Sequence, residues 1–351
     1  SWSGSSICQT RPSAPCCGGP FPLRTLITGG CGFIGSRLAA ALLDDPSASV
    51  RLVDDLSVGS PEANADLPVA EIPRDDFASR SNGDFGRAEF IVGDVLDAAF
   101  MADVVKDVDA IVHLAAESGV PQSIEQPVAA TRVNVMGTLN CLEAARAAGV
   151  RRFVFASSSA AVGNSEMPVH ERRPTNPLSP YGASKLAGEG YCSAYFHAYD
   201  IDTVALRFGN VYGPGSGHKT SVVAKFIRQA TAGETLEIYG DGSQTRDFIY
   251  VDDLVEAIRL ATRAEGVGGE VFQIATGSET TIGELADGLV RVLNGSGHGV
   301  QVRYTEPRRG DAQRNFSDTS KARDMLGWQP RVGLREGLRR TAEWFGVGGH
   351  A

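Results

Sequence analysis

One stretch constrains this chain more than any other: Leu23-Arg24-Thr25-Leu26-Ile27-Thr28 runs directly into Gly29-Gly30-Cys31-Gly32-Phe33-Ile34-Gly35. The first part is a short β-rich run that reads as a buried strand, and a helical pattern continues from the glycines through Leu43. Strand, glycine-rich turn and helix in that order let the backbone turn tightly and approach a pyrophosphate, whose charge meets the N-terminal end of the helix. Gly29, Gly32, Phe33, Ile34 and Gly35 are therefore candidate contacts of a dinucleotide. A glycine triplet alone would be explained equally well by a tight turn. The next strand, Val50-Arg51-Leu52-Val53, ends at Asp54-Asp55, about 20 residues after the glycines, the separation this fingerprint requires. A carboxylate at Asp54 accepts hydrogen bonds from an adenosine ribose and repels a 2′-phosphate, which favours NAD over NADP.

The pattern then repeats. Residues 60–87 are polar and proline-containing and read as a surface insertion, after which Glu89-Phe90-Ile91-Val92 resumes as a strand. It leads into Gly93-Asp94-Val95, where Asp94 is a candidate for the adenine amino group or simply a turn aspartate. A further strand, Ala110-Ile111-Val112-His113-Leu114, runs into Ala115-Ala116, and small residues at a strand tip let a flat cofactor pass close to the backbone. Leu114, Ala115 and Ala116 join the cofactor candidates, as do Val95 and Asn134, the latter inside the helical segment 128–149. His113 reads as packed in the sheet. Alternation of strands and helices predicts an α/β fold, a doubly wound parallel sheet of Rossmann type with ligands at the carboxyl ends of its strands.

That rule gives weight to the residues just beyond the strand Arg152-Phe153-Val154-Phe155-Ala156. Its tip is Ser157-Ser158-Ser159, whose hydroxyls project towards the cofactor cleft. Downstream, Tyr181-Gly182-Ala183-Ser184-Lys185 places a phenol and an ammonium four residues apart on one helix face. Such spacing is commonly only a solvated face. A lysine beside a tyrosine also favours the phenolate, which makes the pair a candidate acid and base near neutral pH.

Composition narrows the partners. A formal net charge of -9 with no long basic run argues against a nucleic-acid or anionic-membrane surface, and no apolar run approaches the roughly 18 residues of a membrane span. The six cysteines show no metal-ligand spacing and read as free thiols of a reducing compartment, so a soluble, cytoplasmic protein without a metal site is expected. Residues 1–22, rich in Ser, Pro, Gly and Cys, lack the pattern of a secretory signal and read as a disordered leader. The chain divides into a mainly NAD-binding domain at 23–212 and a smaller C-terminal α/β substrate-binding domain at 213–351, with some chain crossing between them.

With the glycine turn, the serine cluster and Tyr-x-x-x-Lys in one order, the sequence resembles the extended short-chain dehydrogenases that act on nucleotide sugars, the branch of the UDP-glucose 4-epimerases. Arg207-Phe208-Gly209-Asn210-Val211-Tyr212-Gly213-Pro214, Tyr239-Gly240-Asp241-Gly242, Thr245-Arg246-Asp247-Phe248 and Arg308-Arg309-Gly310-Asp311 extend the resemblance to the C-terminal region. It implies that Tyr181 is the acid/base, that Lys185 holds the nicotinamide ribose and lowers the tyrosine pKa, and that Ser158, with Ser159 as a possible substitute, is the hydroxyl partner. It implies further that Asn210 contacts the diphosphate or sugar, that Arg246 and Arg308 bind phosphate, that Asp311 is the nucleoside-side carboxylate, and that Val223 lines the nucleotide pocket beside Lys225. Two guanidiniums suffice to hold a diphosphate inside an acidic protein.

The implied reaction is transient oxidation of the sugar at C4 by NAD, with hydride returned to the opposite face: a nucleotide-sugar 4-epimerase of UDP-glucose/UDP-galactose type, assembled by analogy as a homodimer. Relatives that eliminate water or decarboxylate carry an Asp-Glu pair or a Glu after the catalytic hydroxyl, where this chain has Ser159-Ala160. Val162, in place of a common tyrosine, and Gly119, in place of a small polar residue, depart from the pattern around the sugar. They leave a UDP-glucuronate decarboxylase or another 4-keto-sugar-forming enzyme as the second reading. A non-catalytic NAD-binding sensor is the third, opposed by the intact Tyr181 and Lys185.

Overall fold

A computed structural model describes residues 23–79, 86–217, 221–294, 300–306 and 313–347 of the chain. The strands, in chain order, are β1 (Arg24–Thr28), β2 (Ser49–Asp54), β3 (Ala70–Glu71), β4 (Ala88–Val92), β5 (Ala110–His113), β6 (Arg152–Ser158) and β7 (Asp202–Phe208). They continue as β8 (Asn210–Tyr212), β9 (Leu236–Tyr239), β10 (Thr245–Arg246), β11 (Phe248–Tyr250), β12 (Glu270–Ile274), β13 (Thr280–Thr281) and β14 (Val302–Thr305). Eight form one sheet in the order β12-β7-β6-β5-β1-β2-β4-β3, and every pair in it is parallel.

Neighbouring residues of these strands point to opposite faces, and both faces are covered. Ile27, Leu52, Val112 and Val154 pack with Leu38 and Leu42 of the helix Phe33–Leu43 and with Leu254 and Ile258 of the helix Val251–Arg263. Their sequence neighbours Leu26, Val53, Ile111 and Phe153 face the other way, against Met101, Leu142 and Tyr195. This double coverage is why the strands read as unbroken apolar runs. The chain leaves β1 towards β2 on one side and reaches β5, β6 and β7 on the other, so the order reverses between β1 and β5, and the crevice opens at their carboxyl ends.

A third core, built on Val223, Phe226, Leu236, Ile238, Leu285 and Leu289, makes a smaller α/β unit in which β9 pairs with β14. The chain crosses between the two units: β12, which comes after the smaller unit's first elements, pairs with β7 at the edge of the large sheet.

Residues 60–71 are more than a surface excursion. A 3-10 turn, Pro61–Asn64, places the buried Asn64 so that its Nδ2 donates to Gly30 O at 3.2 Å, and β3 adds the outermost strand beside β4. A polar stretch is ordered here because its side chain satisfies a backbone carbonyl of the glycine turn. Of the six cysteines, Cys31, Cys141 and Cys192 are buried free thiols; Cys8, Cys16 and Cys17, with the whole segment 1–22, lie outside the described residues. No helix among the described residues is long and apolar enough to cross a membrane, and none of these residues gathers into a metal-binding group.

Candidate active site

The carboxyl ends of the strands open into a cleft of about 930 Å³, a volume in the range of ligand sites. Its floor is the glycine turn, with Gly29, Gly32, Phe33, Ile34 and Gly35 all on the wall. A Cβ at Gly35 would stand 2.1 Å from Gly29 O, so the helix comes this close to the strand only because Gly35 has no side chain. Gly32 is the N-cap of the helix; no side chain caps it and its first turn holds no acid. Its N–H groups are thus open to an anion at the positive end of the helix, as a bound pyrophosphate demands.

Asp54, at the end of β2, is 8% exposed and lines the same cleft. Its Oδ2 accepts the Cys31 N–H and its Oδ1 the Leu56 N–H, each at 2.9 Å, which ties the aspartate to the turn it faces. Burial pushes its pKa up, and these two backbone bonds pull it back down. Asp94 and Val95 after β4, and Leu114, Ala115 and Ala116 after β5, are on the wall too, with Asp94 Oδ1 also closing its own turn on Leu96 N. His113 is packed in the sheet, between Thr28 Oγ1 at 2.7 Å and Thr138 Oγ1 at 3.0 Å.

Asn134 is not part of the cleft lining. It sits in a π-helical turn, Arg132–Gly137, almost fully buried, and its Nδ2 donates to Glu117 O and Ser184 Oγ at 3.1 and 2.9 Å. Through Nδ2 it fastens the loop after β5 to the helix Pro180–Tyr199.

At the tip of β6 the structure separates the serines. Ser158 ends the strand and lines the cleft together with Tyr181. Ser159 begins a 3-10 turn, Ser159–Ala161, and is not part of the lining. Ser157 also reaches the cleft wall, but it is 2% exposed and its hydroxyl is spent on Glu189.

Tyr181 and Lys185 come from the helix Pro180–Tyr199, whose N-cap Ser179 accepts the Gly182 N–H. The helix lies very close to β6: a Cβ at Gly188 would stand 2.3 Å from the Phe155 ring. Lys185 is 3% exposed, donates from Nζ to Ala156 O at 2.8 Å and lies 5.9 Å from the Tyr181 ring centroid. Burial pushes Tyr181 above its ordinary value, and the opposing pull comes from Ser158.

Towards the smaller unit the cleft is walled by Asn210, Val223 and Arg246, and Arg246 Nη1 donates to Thr245 O at 2.6 Å. Asn210 N donates to Asp247 O, so the two candidate diphosphate contacts are joined through one backbone link. Arg308 and Asp311 lie outside the described residues. Lys225 is on the wall, its Nζ 4.8 Å from the Tyr239 ring centroid, and so is Arg228, which was not among the residues expected from sequence. The signal was available: Arg228 comes three residues after Lys225 on one helix and therefore shares its face.

The chain belongs to the NAD dependent epimerase/dehydratase family, whose sequence model matches residues 25–275. It is 40% identical over 330 residues to the UDP-glucose 4-epimerase of Mycolicibacterium smegmatis, covering 92% of this chain and 98% of that one. Among solved structures it is similar to the UDP-glucose 4-epimerase of Thermotoga maritima with UDP-glucose, with a TM-score of 0.81 and 33% identity over 92% of this chain and 98% of the other. It is likewise similar to the UDP-glucuronic acid 4-epimerase of Bacillus cereus in complex with UDP-glucuronic acid and NAD, with a TM-score of 0.79 and 30% identity over 92% and 99%. NAD is the cofactor of this family, and the uncapped helix after the glycine turn, with Asp54 beside it, fits that dinucleotide.

Proposed function

We propose that this protein is a nucleotide-sugar 4-epimerase acting on UDP-glucose and UDP-galactose. The observation that carries this reading is that Ser158, Tyr181 and Lys185 line one cleft with the glycine turn, with Ser159 and Ala160 where a carboxylate would be needed for elimination or decarboxylation. When bound, NAD supplies the acceptor and donor of hydride for the sugar C4. The chain supplies the rest. Tyr181 takes the proton from the sugar O4 and returns it, and Ser158 orients the same oxygen. Lys185, held by Ala156 O, places positive charge under the ribose end of the cofactor. Arg246 and Asn210 receive the diphosphate.

A second reading draws on the sequence: Val162 stands where relatives commonly carry a tyrosine, and a decarboxylase acting on UDP-glucuronate is the alternative.

The purified protein is to be incubated separately with UDP-glucose, UDP-N-acetylglucosamine and UDP-glucuronate, with products monitored by NMR. The C4 epimer of UDP-glucose is expected. No C4 epimer from any of the three overturns the proposal, and carbon dioxide with a UDP-pentose from UDP-glucuronate establishes the alternative.

A further inference from the structure

The helix that carries Tyr181 and Lys185 has a third polar residue in line with them. Tyr181, Lys185 and Glu189 succeed one another four residues apart and form a single stripe. Two of them bond to β6, Lys185 donating to Ala156 O and Glu189 accepting the Ser157 hydroxyl at 2.5 Å, while Tyr181 lines the cleft with Ser158. Arg207 of β7, the register partner of Ser157, closes on the same carboxylate through Nε at 2.8 Å and Nη2 at 2.7 Å. Ser157, Glu189 and Arg207 are 2%, 6% and 4% exposed.

A buried ion pair contributes little net stability over an apolar pair of the same shape, because desolvation offsets the attraction. What it does supply is direction. A bidentate guanidinium–carboxylate contact tolerates little sliding, whereas the surrounding apolar contacts tolerate more. Ser157 is covalently adjacent to Ser158, and Glu189 is one helical turn from Lys185, so a slip of this clamp is passed to the groups that face the cleft.

We propose that Glu189, clamped by Arg207 and Ser157, is a positioning residue that sets how the catalytic helix lies on β6 and so where the Tyr181 hydroxyl stands in the cleft relative to Ser158. The inference rests on the reading of Tyr181 as the acid/base.

Two variants test it. S157A removes one hydroxyl and leaves the Arg207–Glu189 contact in place; E189Q removes the charge that organises all three groups. S157A is expected to keep the wild-type thermal midpoint to within a few degrees and to lose about tenfold in kcat, with E189Q losing about a hundredfold, the effect of a small misplacement of reacting groups. KM for the nucleotide sugar stays within about threefold. The second readout is the ultraviolet titration of the Tyr181 phenol, taken as the difference between each protein and its Y181F counterpart. With Ser158 displaced, the tyrosine titrates at higher pH in both variants. Folded S157A with wild-type kcat and an unmoved Tyr181 titration overturns the proposal, and this holds even where E189Q does not fold. The titration needs no sugar substrate, so a failure of the epimerase reading and a failure of the clamp are distinguished.

Discussion

Lys185 Nζ donates to Ala156 O at 2.8 Å, two residues before Ser158, which fastens the ammonium to the strand whose tip lines the cleft with Tyr181. With burial raising the tyrosine pKa, the neutral phenol is the resident form at neutral pH. Turnover is therefore expected to climb with pH from neutral into the alkaline range. Y181F should lose about a thousandfold or more in kcat while keeping its bound NAD. Steady-state rates across pH, with cofactor content measured after denaturation, check both; unchanged turnover in Y181F would remove the acid/base assignment.

Gly35→Ala places a methyl group 2.1 Å from Gly29 O, backbone against backbone, where no side chain can yield. The helix must move off β1, and its N-terminal N–H groups with it. Loss of NAD binding by at least tenfold is expected, with a destabilisation of about 1–3 kcal/mol from the overpacked contact. Cofactor titration and urea unfolding of the variant give the two numbers.

Arg246 lines the cleft on the side of the smaller unit, and its chain neighbour Asp247 accepts the Asn210 N–H. Arg246→Ala should raise KM for the nucleotide sugar at least tenfold and leave NAD affinity unchanged, because the guanidinium acts on the diphosphate of the substrate. Arg246→Lys should restore only part of it, since an ammonium cannot hold two oxygens in a plane. Equal KM values in all three proteins would exclude the assignment.

His113 is held neutral in the sheet; burial, aided by the nearby Lys185 charge, pushes its pKa down to about 3 from 6.5. The folded state then binds fewer protons than the unfolded chain between these values. Stability from this site is present above pH 6.5 and is lost as pH falls towards 3, at up to about 1.4 kcal/mol per pH unit. His113→Gln should flatten that slope. Urea midpoints of both proteins at a series of pH values from 7 down to 4 should diverge at neutral pH and converge in acid, and parallel curves would count against it.

Much of this protein was legible from local pattern. A strand, a glycine turn and a helix are neighbours in the chain, and so are Tyr181 and Lys185 on their helix; the spacing of residues along one segment determines which of them share a face. The parallel sheet, the cofactor and most of the cleft wall came from such spacing, including Asp54 and the small residues after β5. What the sequence could not decide was how segments far apart in the chain come into register. Ser158 rather than Ser159 lines the cleft with Tyr181 because β6 ends at Ser158 and the chain turns there. Asn134 lies behind the wall because a π-helical turn carries it towards Ser184. Asn64, within a stretch that reads as loop, supports the glycine turn 34 residues away. The clamp of Ser157, Glu189 and Arg207 joins a strand, a helix and the next strand. Periodicity encodes which side of an element is buried; which residue of another element it meets is decided by packing, and that exists only once the chain has folded.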